Sequence, residues 1–300
     1  LTKVPNETLI GEISMRYISP LEARLMRTER NGSVREQEAH RGCYEIQLEL
    51  ANVPKVSIVI PTAGKTVLVG DRKINLIENV ITQILDRSTY ANFEIVVVDN
   101  GDLTLGQEQF LDKVGAKRIT YTEPIFNISK KLNLGASIAT GELLLLLNDD
   151  IEIITFDWIE RMVEHFEKNH VGIVGAKLLY PDERIQHAGV VFNFGNPDHV
   201  SRYSEKGDPG YFFSTCGVRN YKAVIGACMM VKKDMYEKVG GYSEDLAVSF
   251  NDVDFCMRIH KLGFSIVYAP AVELTHMESV SRVAFADQGE LNLFHRRWAY

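Results

Sequence analysis

The sequence predicts an α/β protein with a mainly parallel central sheet and helices on both faces. Three observations predict it. From Pro54 onward, apolar runs of strand length alternate with segments of helical period. The most apolar run, ELLLLLNDDIEI at 142–153, carries five leucines, Leu143 to Leu147, and ends on Asn148, Asp149 and Asp150. Polar residues also stand at the ends of the other apolar runs. Alternating strands and helices give a parallel sheet covered on both sides, and a strand buried on both faces reads as an unbroken apolar run. Ligands of such sheets bind beyond the carboxyl ends of the strands.

Residues 1–54 are expected to form an N-terminal extension laid on a main domain spanning 55–300. In the extension a helix is expected near 20–30, TERNGSVREQEAHRG (28–42) is polar without a sustained period, and YEIQLEL (44–50) alternates as a strand. In the main domain VSIVI (56–60) is the first buried strand. LIENVITQIL (76–85) places Leu76, Ile77, Val80, Ile81, Ile84 and Leu85 on one helical face. EIVVVD (94–99) and RITY (118–121) are strands, and SKKLNLGASIAT (129–140) is a helix with Ser129 as its N-cap. After the leucine strand come an amphipathic helix, FDWIERMVEHFEK (156–168), and a strand, VGIVGAKLL (171–179). IQHAGVVFNF and AVIGACMMV read as strands on either side of a long polar segment, 199–220. A loop of that length is uncommon unless it is functional or mobile. NDVDFCMRIHKLG (251–263) is a helix with Gly263 just past its end, and FSIVYAP is a further strand.

Composition narrows the partners. The chain has 300 residues, 45% hydrophobic and 24% charged, with a net charge of −7 and a pI near 5.7. That balance argues against nucleic acid as the main partner. Cys43, Cys216, Cys228 and Cys256 form no C-x-x-C pair, so neither a zinc site nor a disulfide framework is indicated. Cys228 and Cys256, in apolar surroundings, are expected in the core, and a reducing cytoplasm fits. No signal peptide or membrane span is visible. The chain begins at Leu1 rather than Met, as a processed chain or a piece of a longer one would.

Four polar sites fall at strand ends: Pro61–Thr62, Asp99–Asn100, the Asn148–Asp149–Asp150 triplet and His276, while Asn251–Asp252 opens a helix. Neighbouring carboxylates repel, so Asp149 and Asp150 are most simply explained by a bound hard cation, Mg²⁺ or Mn²⁺, with a polar turn as the rival reading. Neither G-x-G-x-x-G nor G-x-x-x-x-G-K-[ST] occurs.

VSIVIPT, EIVVVDNGD, GELLLLLNDDIEI, GAKLLYPDERIQHAGVVF, IGACMMVKKDMYEKVGGYSEDL and FNDVDFCMRIHKLGFSIVYAPAVELTHMESVSR resemble, in order, the successive blocks of family 2 glycosyltransferases. The likeness covers roughly residues 54–282 and is strongest to bacterial rhamnosyltransferase-like and O-antigen or cell-wall polysaccharide enzymes. It implies the GT-A fold and inverting, metal-dependent transfer from a nucleoside-diphosphate sugar (dTDP-rhamnose or a UDP-sugar) to a hydroxyl of a glycan or lipid-linked acceptor. It also implies a cytoplasmic location and peripheral association with the inner membrane face. Thr62 and Asp99 would line the nucleotide pocket. Asn148, Asp149 and Asp150 would be the D-x-D site, with Asn148 facing the ribose or sugar and Asp150 holding Mn²⁺ or Mg²⁺. His276 would complete the metal and diphosphate site, Asp252 would be the catalytic base, and Gly226–Ala227 would lie beside the acceptor. Two departures stand out: Asn148 replaces an aspartate, and AGKTVLVGDRK follows Thr62 where the family has a short polar turn.

The chemistry suits these residues. A leaving diphosphate gains negative charge that a divalent ion stabilises, and a carboxylate can take the acceptor's proton. Asp252 at a helix start is expected to be held ionised by the helix dipole. Alone it reads first as a helix cap, and Asp254 as a first-turn acid. Lys130 and Lys131 suit either a diphosphate or a solvated helix start. Trp158 and Trp298 are expected in packing, Tyr211, Phe212 and Phe213 beside an acceptor under a closing loop, and His187 and His260 carry no assignment. The competing functions are a sugar-1-phosphate nucleotidyltransferase, whose glycine-rich basic loop has only a faint echo in Gly64–Lys65, and a degenerate nucleotide- or glycan-binding module.

Overall fold

The computed structural model describes residues 31–69, 71–277 and 288–298. The helix expected near 20–30 lies outside them. In chain order the strands are β1 (Gly32–Gln37), β2 (His40–Leu48), β3 (Val56–Pro61), β4 (Thr66–Val69), β5 (Arg72–Asn75), β6 (Phe93–Asp99), β7 (Lys117–Thr120), β8 (Leu143–Leu147), β9 (Ile151–Ile153), β10 (Val171–Leu179), β11 (Ile185–His187), β12 (Val190–Asn193), β13 (Asn196–His199), β14 (Arg219–Tyr221), β15 (Cys228–Lys232) and β16 (Ser265–His276). The helices are α1 (Leu76–Arg87), α2 (Leu105–Lys113), α3 (Ile128–Ile138), α4 (Trp158–Val163), α5 (Lys233–Lys238), α6 (Asn251–Lys261) and α7 (Gln288–Trp298).

The central sheet runs β14-β16-β10-β15-β8-β3-β6-β7, with β11 on β10 and β9 on β16. β3 is parallel to β6 and β8, β6 to β7, and β10 to β16. β15 inserts antiparallel between β8 and β10. The five leucines of β8 divide by parity. Leu143, Leu145 and Leu147 join Ile58, Ile60 and the inner faces of α1 and α4, while Leu144 and Leu146 join the opposite layer with α3 and α6. A leucine removed from water contributes about 2 kcal/mol, so both faces reward an unbroken apolar run.

Several elements differ from expectation for local reasons. The cap of α3 is Asn127, whose side chain accepts from the Lys130 N–H at 3.0 Å, while Ser129 lies inside the helix and donates to the Leu246 carbonyl at 2.6 Å. Leu85 is 45% exposed because α1 turns only Leu76, Ile77, Val80, Ile81 and Ile84 inward. The segment 156–168 is a short α4 followed by a 3₁₀ turn, Glu164–Glu167, rather than one helix. Gly263 does take the left-handed conformation expected after α6, at φ 91°. Among the described residues no helix is long and apolar enough to cross a membrane.

The polar stretch 28–42 contains β1, which pairs with β2 as a hairpin. Arg161 on α4 bonds Glu45 at 2.7 Å, the Leu48 N–H donates to Glu164 at 2.8 Å, and the Cys43 and Cys216 sulfurs lie 3.7 Å apart. Cys228 and Cys256 are fully buried, as expected of core residues.

Burial pushes the Glu164 carboxyl from 4.5 up to about 7. The unfolded chain therefore loses this proton at lower pH than the folded one. The group's stabilising contribution is present below about pH 4.5 and is lost as pH rises through about 7, a swing of roughly 3 kcal/mol. Glu164→Gln keeps an acceptor for Leu48 without the charge. Its Tm is expected to exceed that of the wild type at pH 8 and to converge with it near pH 4. An equal difference at both pH values in calorimetric scans would contradict this.

Candidate active site

The expected strand-end residues converge. Thr62 follows β3, Asp99 ends β6, the Asn148–Asp150 triplet follows β8, and His276 ends β16. Thr62 Oγ1 donates to Asp149 Oδ2 at 2.6 Å and accepts the Gly64 N–H at 3.0 Å, so β3 is tied to the triplet. Buried Asp99 accepts the Gly101 N–H at 2.6 Å, with Arg118 Nε 3.7 Å from its other oxygen. Lys131 is neither solvated nor turned outward. It is buried on α3 and donates to the Thr62 carbonyl at 2.7 Å and Asn100 Oδ1 at 2.9 Å, clasping the ends of β3 and β6. The departure after Thr62 folds as the β4–β5 hairpin, whose Val67 packs with Leu76 and Met277, the residue after His276.

Asp150 and His276 are 4% and 6% exposed. Asp150 Oδ1 lies 3.1 Å from His276 Nε2. The other ring nitrogen, Nδ1, is 2.7 Å from Gln186 Oε1 and donates to it, so in the neutral ring Nε2 carries the lone pair. Asn148 Nδ2 donates to that lone pair at 3.2 Å. An aspartate at 148 could not donate to a ring nitrogen. Two adjacent ligands of an octahedral ion at about 2.1 Å lie about 3.0 Å apart, close to the observed carboxylate–imidazole separation. Asp150 and His276 therefore fit a hard divalent cation. Among the described residues no group of three or more His, Cys, Asp or Glu gathers to hold one. The remaining ligands would have to come from phosphate oxygens and water, the usual manner for Mg²⁺.

Asp252 lies across residues 225–227 from this pair. The Asn148 N–H donates to the Ala227 carbonyl at 3.0 Å, and the Gly226 N–H donates to Asp252 Oδ2 at 2.9 Å. Asp252 Oδ1 accepts the Val253 N–H at 2.8 Å. Burial, opposed by these two N–H bonds and by nearby His199, raises the Asp252 carboxyl above its ordinary range. The helix start therefore does not hold it ionised as strongly as expected, because desolvation outweighs the N–H groups. The preceding Phe250 sits in the left-handed region at φ 61°. Asp254 is in the first turn of α6 as expected, and it is also a buried anchor: Arg258, Arg297 and the Trp298 indole bond it at 2.8, 3.1 and 2.9 Å. Trp158 is fully buried and donates to Ser88 Oγ at 2.8 Å. His260 bonds Lys222 and the Phe264 carbonyl outside this cluster.

Sequence reasoning left His187 without a role, yet its Nε2 accepts the Ile225 N–H at 3.3 Å and its Nδ1 meets His199 Nδ1 at 2.9 Å. His199 also lines a cleft of about 1030 Å³ with Val191, Tyr211, Phe212, Arg219 and Tyr221. Phe212 is 72% exposed at its mouth. No spacing rule points to His187 or Gln186; the only hint was their place in the IQHAGVVF block.

The model of the family described as "Glycosyl transferase family 2" matches residues 57–240. The chain belongs to glycosyltransferase family 2. Among curated family relatives, the uncharacterized protein y4gI of Sinorhizobium fredii is 36% identical over 245 residues, covering 80% of this chain and 26% of that protein. The O-antigen biosynthesis protein RfbC of Myxococcus xanthus is 32% identical over 251 residues, covering 81% of this chain and 19% of RfbC. The chain thus spans about a quarter or less of these relatives. GalNAc-T7, solved with UDP, GalNAc and Mn²⁺, aligns at a TM-score of 0.60 and 14% identity over 88% of this chain and 57% of its own. The Pyrobaculum calidifontis mannosyltransferase PcManGT, solved with GDP-Man and Mn²⁺, aligns at 0.53 and 17% identity over 97% of this chain and 71% of its own. The fold is that of the GT-A glycosyltransferases.

Gly226 is a tight point beside Asp252. A Cβ there would stand 3.3 Å from the Asp252 Cβ and 3.4 Å from the Tyr242 hydroxyl, so a neighbour would have to give way. Gly226→Ala is expected to lower kcat roughly 10- to 100-fold through displacement of Asp252 with a Tm within a few degrees of the wild type. Unchanged kcat would show that the carboxylate's position there is immaterial.

Proposed function

We propose that this chain catalyses inverting transfer of a sugar from a nucleoside diphosphate, dTDP-rhamnose or a UDP-sugar, to a hydroxyl of a glycan or lipid-linked acceptor. The observation that carries this reading is the pairing of Asp150 and His276 at 3.1 Å, the spacing of two neighbouring ligands of one ion, with Asn148 of the same triplet joined through residues 225–227 to Asp252. RfbC, named for O-antigen biosynthesis, supports the acceptor class. Asp150 and His276 would hold Mn²⁺ or Mg²⁺, which when bound supplies Lewis-acid stabilisation of the charge developing on the leaving diphosphate. Asp99 and Thr62 would bound the nucleotide pocket, with Asn148 and Asp149 toward the ribose and diphosphate. Asp252 would accept the proton of the acceptor hydroxyl as that oxygen attacks the anomeric carbon and the carbon–oxygen bond to the diphosphate breaks. A single displacement inverts that carbon.

Tyr211 and Phe212, at the cleft that His199 shares, offer faces for an acceptor sugar. Residues 55–300 would form the transferase domain and 1–54 its extension, with function at the cytoplasmic face of a membrane where lipid-linked acceptors occur. A basic glycine-rich loop, which a nucleotidyltransferase would need after its first strand, is replaced by the β4–β5 hairpin.

The reading is tested by thermal shifts with UDP, dTDP and GDP, each with and without Mn²⁺. One nucleotide is expected to stabilise the protein only when the metal is present, and Asp150→Ala to abolish that shift. No metal-dependent shift with any nucleotide would favour a degenerate module. Asp252→Asn is expected to lower transfer by 10²–10⁴-fold while leaving the nucleotide shift nearly intact. Since transfer needs the ionised carboxylate and burial raises its pKa, the acidic limb of kcat/KM should lie above the ordinary aspartate range. A limb at or below that range would argue against Asp252 as the base.

A further inference from the structure

The residues of β11 hold both halves of the site. In a regular strand neighbouring side chains point to opposite faces. β11 is not regular: Leu178 pairs with His187 and Leu179 with Ile185, so Gln186 is an extra residue without a counterpart on β10. Such a bulge re-aims side chains and recurs beside active sites. Here two consecutive side chains, both almost wholly buried, serve one site. Gln186 Oε1 accepts from His276 Nδ1 at 2.7 Å, and its amide nitrogen lies 3.5 Å from the His276 carbonyl. His187 Nε2 accepts the Ile225 N–H, one residue before the Gly226 N–H that holds Asp252. With Nε2 accepting, the His187 proton sits on Nδ1 and is donated to His199 Nδ1 at 2.9 Å.

We propose that the bulged pair Gln186–His187 are positioning residues with separate tasks. Gln186 fixes the tautomer and orientation of His276, leaving Nε2 free of its proton for a divalent cation. His187 fixes the peptide at Ile225–Gly226 and through it the aim of Asp252. The inference rests on the roles proposed above for His276 and Asp252. A hydrogen-bonded partner on the far nitrogen of a ligating imidazole is the usual way its ligand nitrogen is set. The carboxylate oxygen that does not bond its own helix is held by the Gly226 N–H, so it can be no better placed than that peptide.

The test compares Gln186→Leu and Gln186→Glu with His187→Leu and His187→Gln. Glu retains an oxygen for His276 Nδ1, and Gln retains an acceptor where His187 Nε2 stands. Long-range ¹H–¹⁵N NMR of the metal-free protein reads the His276 tautomer. Loss of Mn²⁺ electron paramagnetic resonance signal in the presence of UDP reads metal uptake. Amide hydrogen exchange reads Ile225 and Gly226.

Gln186→Leu is expected to release His276 from its single tautomer and to weaken Mn²⁺ uptake 10- to 100-fold, with exchange at 225–226 unchanged and recovery in Gln186→Glu. His187→Leu is expected to speed exchange at 225–226 and to lower kcat about 100-fold, with unchanged Mn²⁺ uptake and recovery in His187→Gln. If both leucine variants alter metal uptake and amide exchange alike, or the conservative variants restore nothing, the two residues serve only general packing and the proposal falls. If the wild type takes up no Mn²⁺ and tolerates Asp252→Asn, the underlying reading of the site has failed; the tautomer and exchange measurements still decide the two contacts on their own.

Discussion

The site depends on one short piece of backbone. Residues 225–227 lie just before β15, the antiparallel strand inserted into the middle of the sheet. Their three peptide groups receive or offer bonds to His187, Asp252 and Asn148 in turn. Side chains on long stems can drift, whereas a peptide N–H is fixed to within the tolerance of its strand. Tying both the Asp252 carboxylate and the Asn148–Asp150 triplet to one stretch of backbone sets their separation without direct contact between them. Gly226 favours this, because a Cβ at that position would press on Asp252 and Tyr242.

Electrostatics around this stretch follow from burial. The protein places two carboxylates, Asp150 and Asp252, in poorly hydrated surroundings and treats them differently. Asp150 faces an imidazole whose far nitrogen donates to Gln186. Asp252 is given two backbone N–H groups and, among the described residues, no cation at bonding distance, and its carboxyl rises. One environment suits a metal-binding anion and the other a proton acceptor. The same sequence difference that departs from the usual acidic triplet, Asn148, fits this arrangement, because an amide can donate to the imidazole where a carboxylate could not.

Much of the architecture was legible in the sequence. The strands buried on both faces announce themselves as apolar runs, and the polar residues that end them mark the binding edge. Thr62, Asp99, Asn148, Asp150 and His276 all lie where that rule puts them. Asp252 needed the resemblance to a family as well, since a helix-opening aspartate is ordinary. What sequence patterns could not reveal depends on contacts between distant segments. Gln186 and His187 gain their roles from a bulge, which leaves no periodic trace. Lys131 looks like any charged residue at a helix start until the ends of β3 and β6 are brought against it. Asp254 becomes an anchor only once Arg297 and Trp298 arrive from α7. The N-cap of α3 slipped by two residues because serine and asparagine compete equally in any rule based on residue type.

The position of β16 has a consequence for how the molecule is made. This twelve-residue strand does not close the sheet at an edge; it lies between β10 and β14, and its far end pairs with β9. During synthesis β10, nine consecutive buried residues, emerges long before either of its neighbours β15 and β16. Until then only its last two residues have a partner, in β11, and the rest presents an apolar edge of the kind that invites association between chains. His276 is at the last position of β16, so the cation-facing pair is completed only when the sheet is. A nascent chain therefore carries β10 without its two main neighbours until β15 and β16 are made, and Asp150 and His276 come together only when β16 is complete.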